Sequence, residues 1–136
     1  MAKGSIGHLV FSIDMQNQAF YRDLFGFLGW TTIHESPDML GLAGENGTSI
    51  WFASVTRDVK NDYDGPGLNH LGMHVSALTD VDEAVAYLGK AGVACLFETP
   101  RHRPEFSGPE STYYQVMFES PDRILIEFVY YGKQNA

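Results

Sequence analysis

Ile6-Gly7-His8-Leu9-Val10-Phe11-Ser12-Ile13-Asp14 opens the chain's first periodic segment, and its β-branched and aromatic residues read as a strand, with Asp14 placed to start the next element. The opening pair His-Leu returns 62 residues later in Leu68-Asn69-His70-Leu71-Gly72-Met73-His74-Val75-Ser76, a second predicted strand. The segments after the two strands also match. After the first, Ala19, Phe20, Leu24, Phe27 and Leu28 recur at helical spacing, with Gly26 and Gly29 near the end as candidate left-handed caps. Three strand-like runs come next, Trp30 to Glu35, Met39 to Ala43 and Thr48 to Val55, divided by turns at Ser36-Pro37-Asp38 and Gly44-Glu45-Asn46-Gly47. After the second strand, Asp80 reads as an N-cap with Glu83 as its box residue, Val81, Ala84, Val85 and Leu88 form the apolar stripe, and Gly92 is the stop. The runs Val93 to Glu98, Tyr113 to Glu119 and Ile124 to Tyr131 complete it.

Each half is therefore expected to be β-α-β-β-β. The resulting fold class is α+β: two βαβββ modules, residues 5–56 and 68–132, joined by a polar linker 57–67 that holds Gly65-Pro66-Gly67, within one domain of 136 residues. Each curved mixed sheet has one apolar face to cover and one left to line a site, so the expectation is a shared cavity between the modules.

Composition narrows the partners. A net charge of −8 opposes phosphate backbones and anionic lipid surfaces, so neither nucleic acid nor membrane is expected. Cys95 is the single cysteine, which excludes an internal disulfide and any multi-cysteine metal site and suits a reducing compartment. No apolar leader and no run of about 20 apolar residues is present, and the expected setting is cytoplasmic.

Three residues stand out for chemistry. His8 and His70 hold equivalent places in the repeat, and Glu127 lies in the last strand among Leu125, Ile126, Phe128 and Val129. A carboxylate in so apolar a strand needs a partner, because an unpaired buried charge is costly. Two imidazoles and one carboxylate would bind one divalent cation with positions left open, a set that suits Fe(II), Mn(II) or catalytic Zn(II). A satisfied core histidine and a glutamate on a wet strand face are the plainer alternatives. His74, four residues past His70, shares its face if the strand is regular and is either an acid or base for the site or a space-filling residue. Residues Glu98 to Thr112 carry Arg101, His102 and Arg103 among prolines and read either as a solvated loop or as a lid bringing cations to an anionic substrate. Tyr113, Gln115 and Met117 alternate with Tyr114, Val116 and Phe118, and the more polar Tyr113 and Gln115 suit a site wall. Cys95, on a short apolar strand, reads as a small hydrophobe and His34 as a surface residue.

The run Phe20-Tyr21-Arg22-Asp23-Leu24-Phe25-Gly26-Phe27, the repeated strand-opening His, and Ser120-Pro121-Asp122-Arg123-Ile124-Leu125-Ile126-Glu127 together resemble the vicinal-oxygen-chelate superfamily, which includes glyoxalases, bleomycin-resistance proteins and extradiol dioxygenases. The resemblance spans roughly Ile6 to Tyr131. It implies a divalent metal on His8, His70 and Glu127, one per site, with Fe(II) or Mn(II) favoured and Zn(II) or Ni(II) as other candidates. It also implies a small-molecule substrate chelated through adjacent oxygens, and a homodimer.

Departures from the family pattern shape the functional expectation. Trp51 stands where glyoxalase I-like members carry a further Glu, which weakens the isomerase reading and makes Trp51 a candidate substrate contact. Met117 replaces the Tyr expected of an extradiol enzyme, Arg123 replaces the turn's usual Gly, and only Lys133 supplies a cation beyond Glu127, fewer than fosfomycin binding would want. O2-dependent cleavage of a catechol-like ring is the narrow lead, with His74 as base and His102 in reserve, and with Trp51, Tyr113, Gln115, Arg101 and Arg103 contacting substrate. A metal-dependent lyase, isomerase or thiol transferase, and a drug-sequestering protein without turnover, remain open alternatives.

Overall fold

In a computed structural model that describes residues 1–134, the chain divides into two compact units, Met1–Lys60 and from Asn61 onward. The first contains β1 (His8–Ile13), a single 3-10 turn, α1 (Gln18–Phe27), β2 (Thr31–Ser36), β3 (Met39–Ala43) and β4 (Ser49–Ser54). Its sheet has the order β1-β4-β3-β2, with β1 parallel to β4 and the other pairs antiparallel. Asp14 ends β1 and accepts from the Gln16 N–H at 3.0 Å, capping the turn that leads into the helix. Tyr21, Leu24 and Phe25 on α1 are fully buried, and Tyr21 and Phe25 meet Phe52, whose ring stacks on Tyr21 at 4.3 Å and lies 5.6 Å from Phe11. Gly29, at φ +86, supplies the left-handed exit that side chains resist.

The second unit contains β5 (Leu71–His74), α2 (Leu78–Lys90), β6 (Leu96–His102), a 3-10 turn (Pro104–Phe106), β7 (Ser111–Glu119) and β8 (Leu125–Lys133). Its sheet order, β5-β8-β7-β6, repeats the parallel opening pair and the antiparallel remainder. Val81, Ala84 and Leu88 of α2 are buried, as are Val116, Phe118, Ile126 and Phe128 on the sheet, and Tyr114 donates to Asp82 on the helix at 2.7 Å. The opposite face of this sheet, bearing Tyr113, Gln115, Glu127 and Met117, carries the candidate site.

Three sequence expectations change. Asp80 is the third residue of α2 rather than its cap: Ala77 is the cap, and the Asp80 carboxylate accepts the Ala77 N–H at 3.0 Å. Arg101 and His102 belong to β6 and not to a loop, because Pro100 sits on the sheet's edge strand, where a missing N–H is tolerated. Residues from Asn61 onward, read as linker, belong to the second unit: Asn61 donates to the Arg123 carbonyl at 2.9 Å, and Tyr63 is buried with its hydroxyl on Glu119.

Candidate functional site

Glu127 is 3% exposed in the middle of β8, directly opposite Met117 on β7 and Gly72 on β5. The Tyr113 hydroxyl donates to it, lying 3.0 Å from Oε1 and 2.9 Å from Oε2, and the Gln115 amide donates to Oε2. Gln115 is held in that orientation from its other end, since its Oε1 accepts from Arg103 Nη1 at 2.9 Å. Burial and the hydrogen bond to Glu127 push the Tyr113 hydroxyl up to about 12, so it stays a donor at neutral pH.

His70 completes this group just before β5. Its Nδ1 lies 2.7 Å from Asn69 Oδ1, and Asn69 is oriented by donating from Nδ2 to the Tyr63 carbonyl at 3.2 Å. In the neutral ring that contact places the proton on Nδ1 and leaves Nε2, 3.6 Å from Glu127 Oε1, as the nitrogen able to ligate. In that state a lone pair and a carboxylate oxygen face each other, an arrangement that a cation between them would relieve. Donors on neighbouring positions of one ion, each about 2.1 Å from it, stand about 3.0–3.4 Å apart, so the observed pair is a few tenths of an ångström wider than a chelating bite. The ring's outer N–H on an amide oxygen is also the support that metal-bound histidines use. The donor set of His70 and Glu127 therefore fits a divalent cation. Within this unit no third histidine, cysteine or carboxylate joins them among the described residues.

A cavity of about 610 Å³ opens above the pair. Tyr63, Met117 and Leu125 form one buried apolar cluster on its wall, and Phe97, Phe106, Arg103, Asn69 and Asp64 contribute the rest with Tyr113 and Gln115.

The other expected site residues are more dispersed. Arg103 lines the cavity, its guanidinium 4.7 Å from the Phe106 ring centre and its Nε 2.9 Å from Glu105. Arg101 pairs with Gln115 across the ladder but does not line the cavity; its Nη1 is 3.7 Å from Glu98. His102 pairs with Tyr114, so it lies on the helix side of the sheet, with its ring 4.6 Å from that tyrosine and Nδ1 2.5 Å from Thr112 Oγ1. It is not on a loop that could close over substrate. His74 ends β5 with Nε2 accepting from the Tyr131 N–H at 3.4 Å and is not among the cavity residues. In the first unit, His8 is exposed opposite Ser49 in the ladder. Trp51 lies on the same sheet face, its ring so close over Gly41 that a β-carbon there would collide with it, and its Nε1 donates to Ser49 at 2.9 Å.

Asn69, Tyr63 and Phe97 had no signal in the sequence pattern. Asn69 is recognisable only by adjacency to His70, and Tyr63 was hidden in an apparent linker.

A family model described as the Glyoxalase/Bleomycin resistance protein/Dioxygenase superfamily matches residues 5–128, and the chain belongs to that superfamily. Among solved structures, it is similar to a candidate glyoxalase from Bacillus halodurans, with a TM-score of 0.79, 26% identity, and coverage of 94% of this chain and 96% of the other. A glyoxylase/bleomycin resistance protein/dioxygenase domain from Frankia aligns with a TM-score of 0.64 at 22% identity, covering 96% and 98%. A glyoxalase/dioxygenase from Nostoc punctiforme aligns at 0.69 and 15% identity, covering 95% and 92%. The last two show the fold alone. No curated protein matches the chain. Among the described residues no helix is long and apolar enough to cross a membrane.

Proposed function

We propose that this protein is a divalent-cation-dependent enzyme acting on a small substrate that binds the ion through two adjacent oxygen atoms, with His70 and Glu127 as ligands. The observation that carries the reading is the approach of His70 Nε2 to Glu127 Oε1 at 3.6 Å, each side chain held by its own hydrogen bonds. By the sequence repeat, His8 holds the matching strand-opening position of the first unit and is proposed as a further ion ligand. The cation supplies Lewis-acid stabilisation of negative charge on a substrate oxygen. The chain does the rest: Asn69 fixes the imidazole, Tyr113 and Gln115 fix the carboxylate, and the cluster of Tyr63, Met117 and Leu125 keeps water off one wall.

Within this class the narrower reading is ring cleavage of a catechol-like compound by O2, with Fe(II) or Mn(II) as the ion. A homodimer is part of the same reading, and sedimentation at micromolar concentration checks it. The deciding experiment is elemental analysis of protein purified without chelator, beside Glu127→Gln, and then O2 uptake with catechols under Fe(II). A stoichiometric divalent metal that Glu127→Gln loses supports the enzyme, and metal without O2 uptake moves the chemistry to lyase, isomerase or thiol transfer. Absence of metal affinity in the wild type overturns the proposal.

A further inference from the structure

The wall of the second unit's cavity carries a feature that the ion site does not use. Phe97 and Glu98, near the start of β6, have φ +58 and +60, a left-handed conformation that bulky side chains resist, where the β6–β7 register shifts, and of the two Phe97 lines the cavity. Its ring is not repaid by burial, being 50% exposed on the cavity. Backbone strain retained beside a ligand-sized cavity is a mark of a clamp. Phe106, on the 3-10 turn after β6, is likewise 52% exposed on the same cavity, its ring propped at 5.4 Å by Tyr113 and 4.7 Å from the Arg103 guanidinium.

We propose that this cavity takes a flat aromatic carboxylate, with its ring against Phe97 and Phe106 and its carboxylate on Arg103. Flatness is dictated by the wall, because aromatic faces and edges gain most against another π-system. The anion is dictated by Arg103, the one arginine among the described residues on the cavity wall, whose Nε donates to Glu105 and whose Nη1 donates to Gln115. Its partner Glu105 is more than half exposed, so that ion pair is readily exchanged for a ligand carboxylate. Asp64 and Glu127 are the cavity's two carboxylates and repel the anion toward Arg103. In a chain of net charge −8, an anionic ligand needs such a local cation. The proposal deepens the reading of the His70–Glu127 site by naming its occupant; it rests on that reading for the ligand's orientation but needs no metal for binding.

The test uses chelator-treated, metal-free protein, so that failure of the metal reading and failure of this one are separable. Naphthoate, naphthol and decahydronaphthoate are titrated calorimetrically. Naphthoate should bind about 10-fold or more tighter than either the neutral or the saturated analogue. Phe97→Gly suits a positive φ, so it should keep or raise the melting temperature while weakening naphthoate about 5-fold or more. Arg103→Gln should erase the preference for naphthoate over naphthol. Equal binding of the saturated acid, unchanged affinity in a folded Phe97→Gly, or no binding of naphthoate overturns the proposal.

Discussion

Gly72 faces Glu127 across the parallel β5–β8 ladder so closely that a β-carbon on it would stand 3.2 Å from Glu127 Oε1. A methyl group there makes the carboxylate yield by a few tenths of an ångström, and a branched side chain displaces it. Gly72→Ala should weaken divalent-metal binding modestly and Gly72→Val by about 10-fold or more, the scale of disturbing a ligand's support. Isothermal titration beside circular dichroism checks this, with the fold retained in both variants.

Asn69 aims the His70 ring at Glu127 through one 2.7 Å contact. Asn69→Ala releases the ring and should lower metal affinity by about 10- to 100-fold. Asn69→Asp keeps an acceptor on Nδ1 and should retain most of it. His70→Ala should lose the metal, whereas His74→Phe should keep it at full stoichiometry, because His74 contacts the Tyr131 N–H rather than the cavity.

Tyr113 and Tyr114 should ionise late, and Tyr63, whose hydroxyl donates to Glu119, is raised as well. Tyr113 and Tyr114 are each pushed up from 10.0 to about 12, first by burial and then by donating to Glu127 and Asp82 respectively. A raised folded-state value means the native protein holds the proton more tightly than the unfolded chain. Their contribution to stability is complete below pH 10 and is lost as pH rises toward 12. Phenolate absorbance should show this late phase, and Tyr113→Phe should remove one group from it.

Phe52 is the centre of the first unit's core, touching Tyr21, Phe11 and Phe25. Phe52→Ala should cost about 3–5 kcal/mol, read as a lower urea midpoint.

The order of elements was legible because strand and helix periodicities are local, and Gly29 and Gly92 mark both helix exits at positive φ. Arg123 shows where residue type misleads: the family turn favours glycine, and Arg123 adopts φ +57 all the same, with its amide on Ser120 at 3.0 Å and its guanidinium 5.3 Å from the Tyr63 ring. The end of β6 reads as a loop because prolines argue against a strand without saying that the strand is an edge. At the site, strand alternation put Tyr113, Gln115 and Met117 on one face, but only tertiary pairing says that this face holds Glu127. His102 and Arg103 are adjacent in sequence and project to opposite sides of the sheet. That is a matter of strand parity, which a loop assignment discards.

The parallel opening pair has a kinetic consequence. β7 and β8 meet through a short turn, whereas β5 reaches β8 only after a helix and two strands have been laid between them, and β1 reaches β4 in the same way. Closing the longer loop costs more chain entropy before any contact rewards it, so hairpins should form early and opening strands dock last. His8 begins one late strand and His70 immediately precedes the other. On that order each half of the chain would place the imidazole at or just before its opening strand last, and an incompletely folded chain would have no organised place to hold an ion.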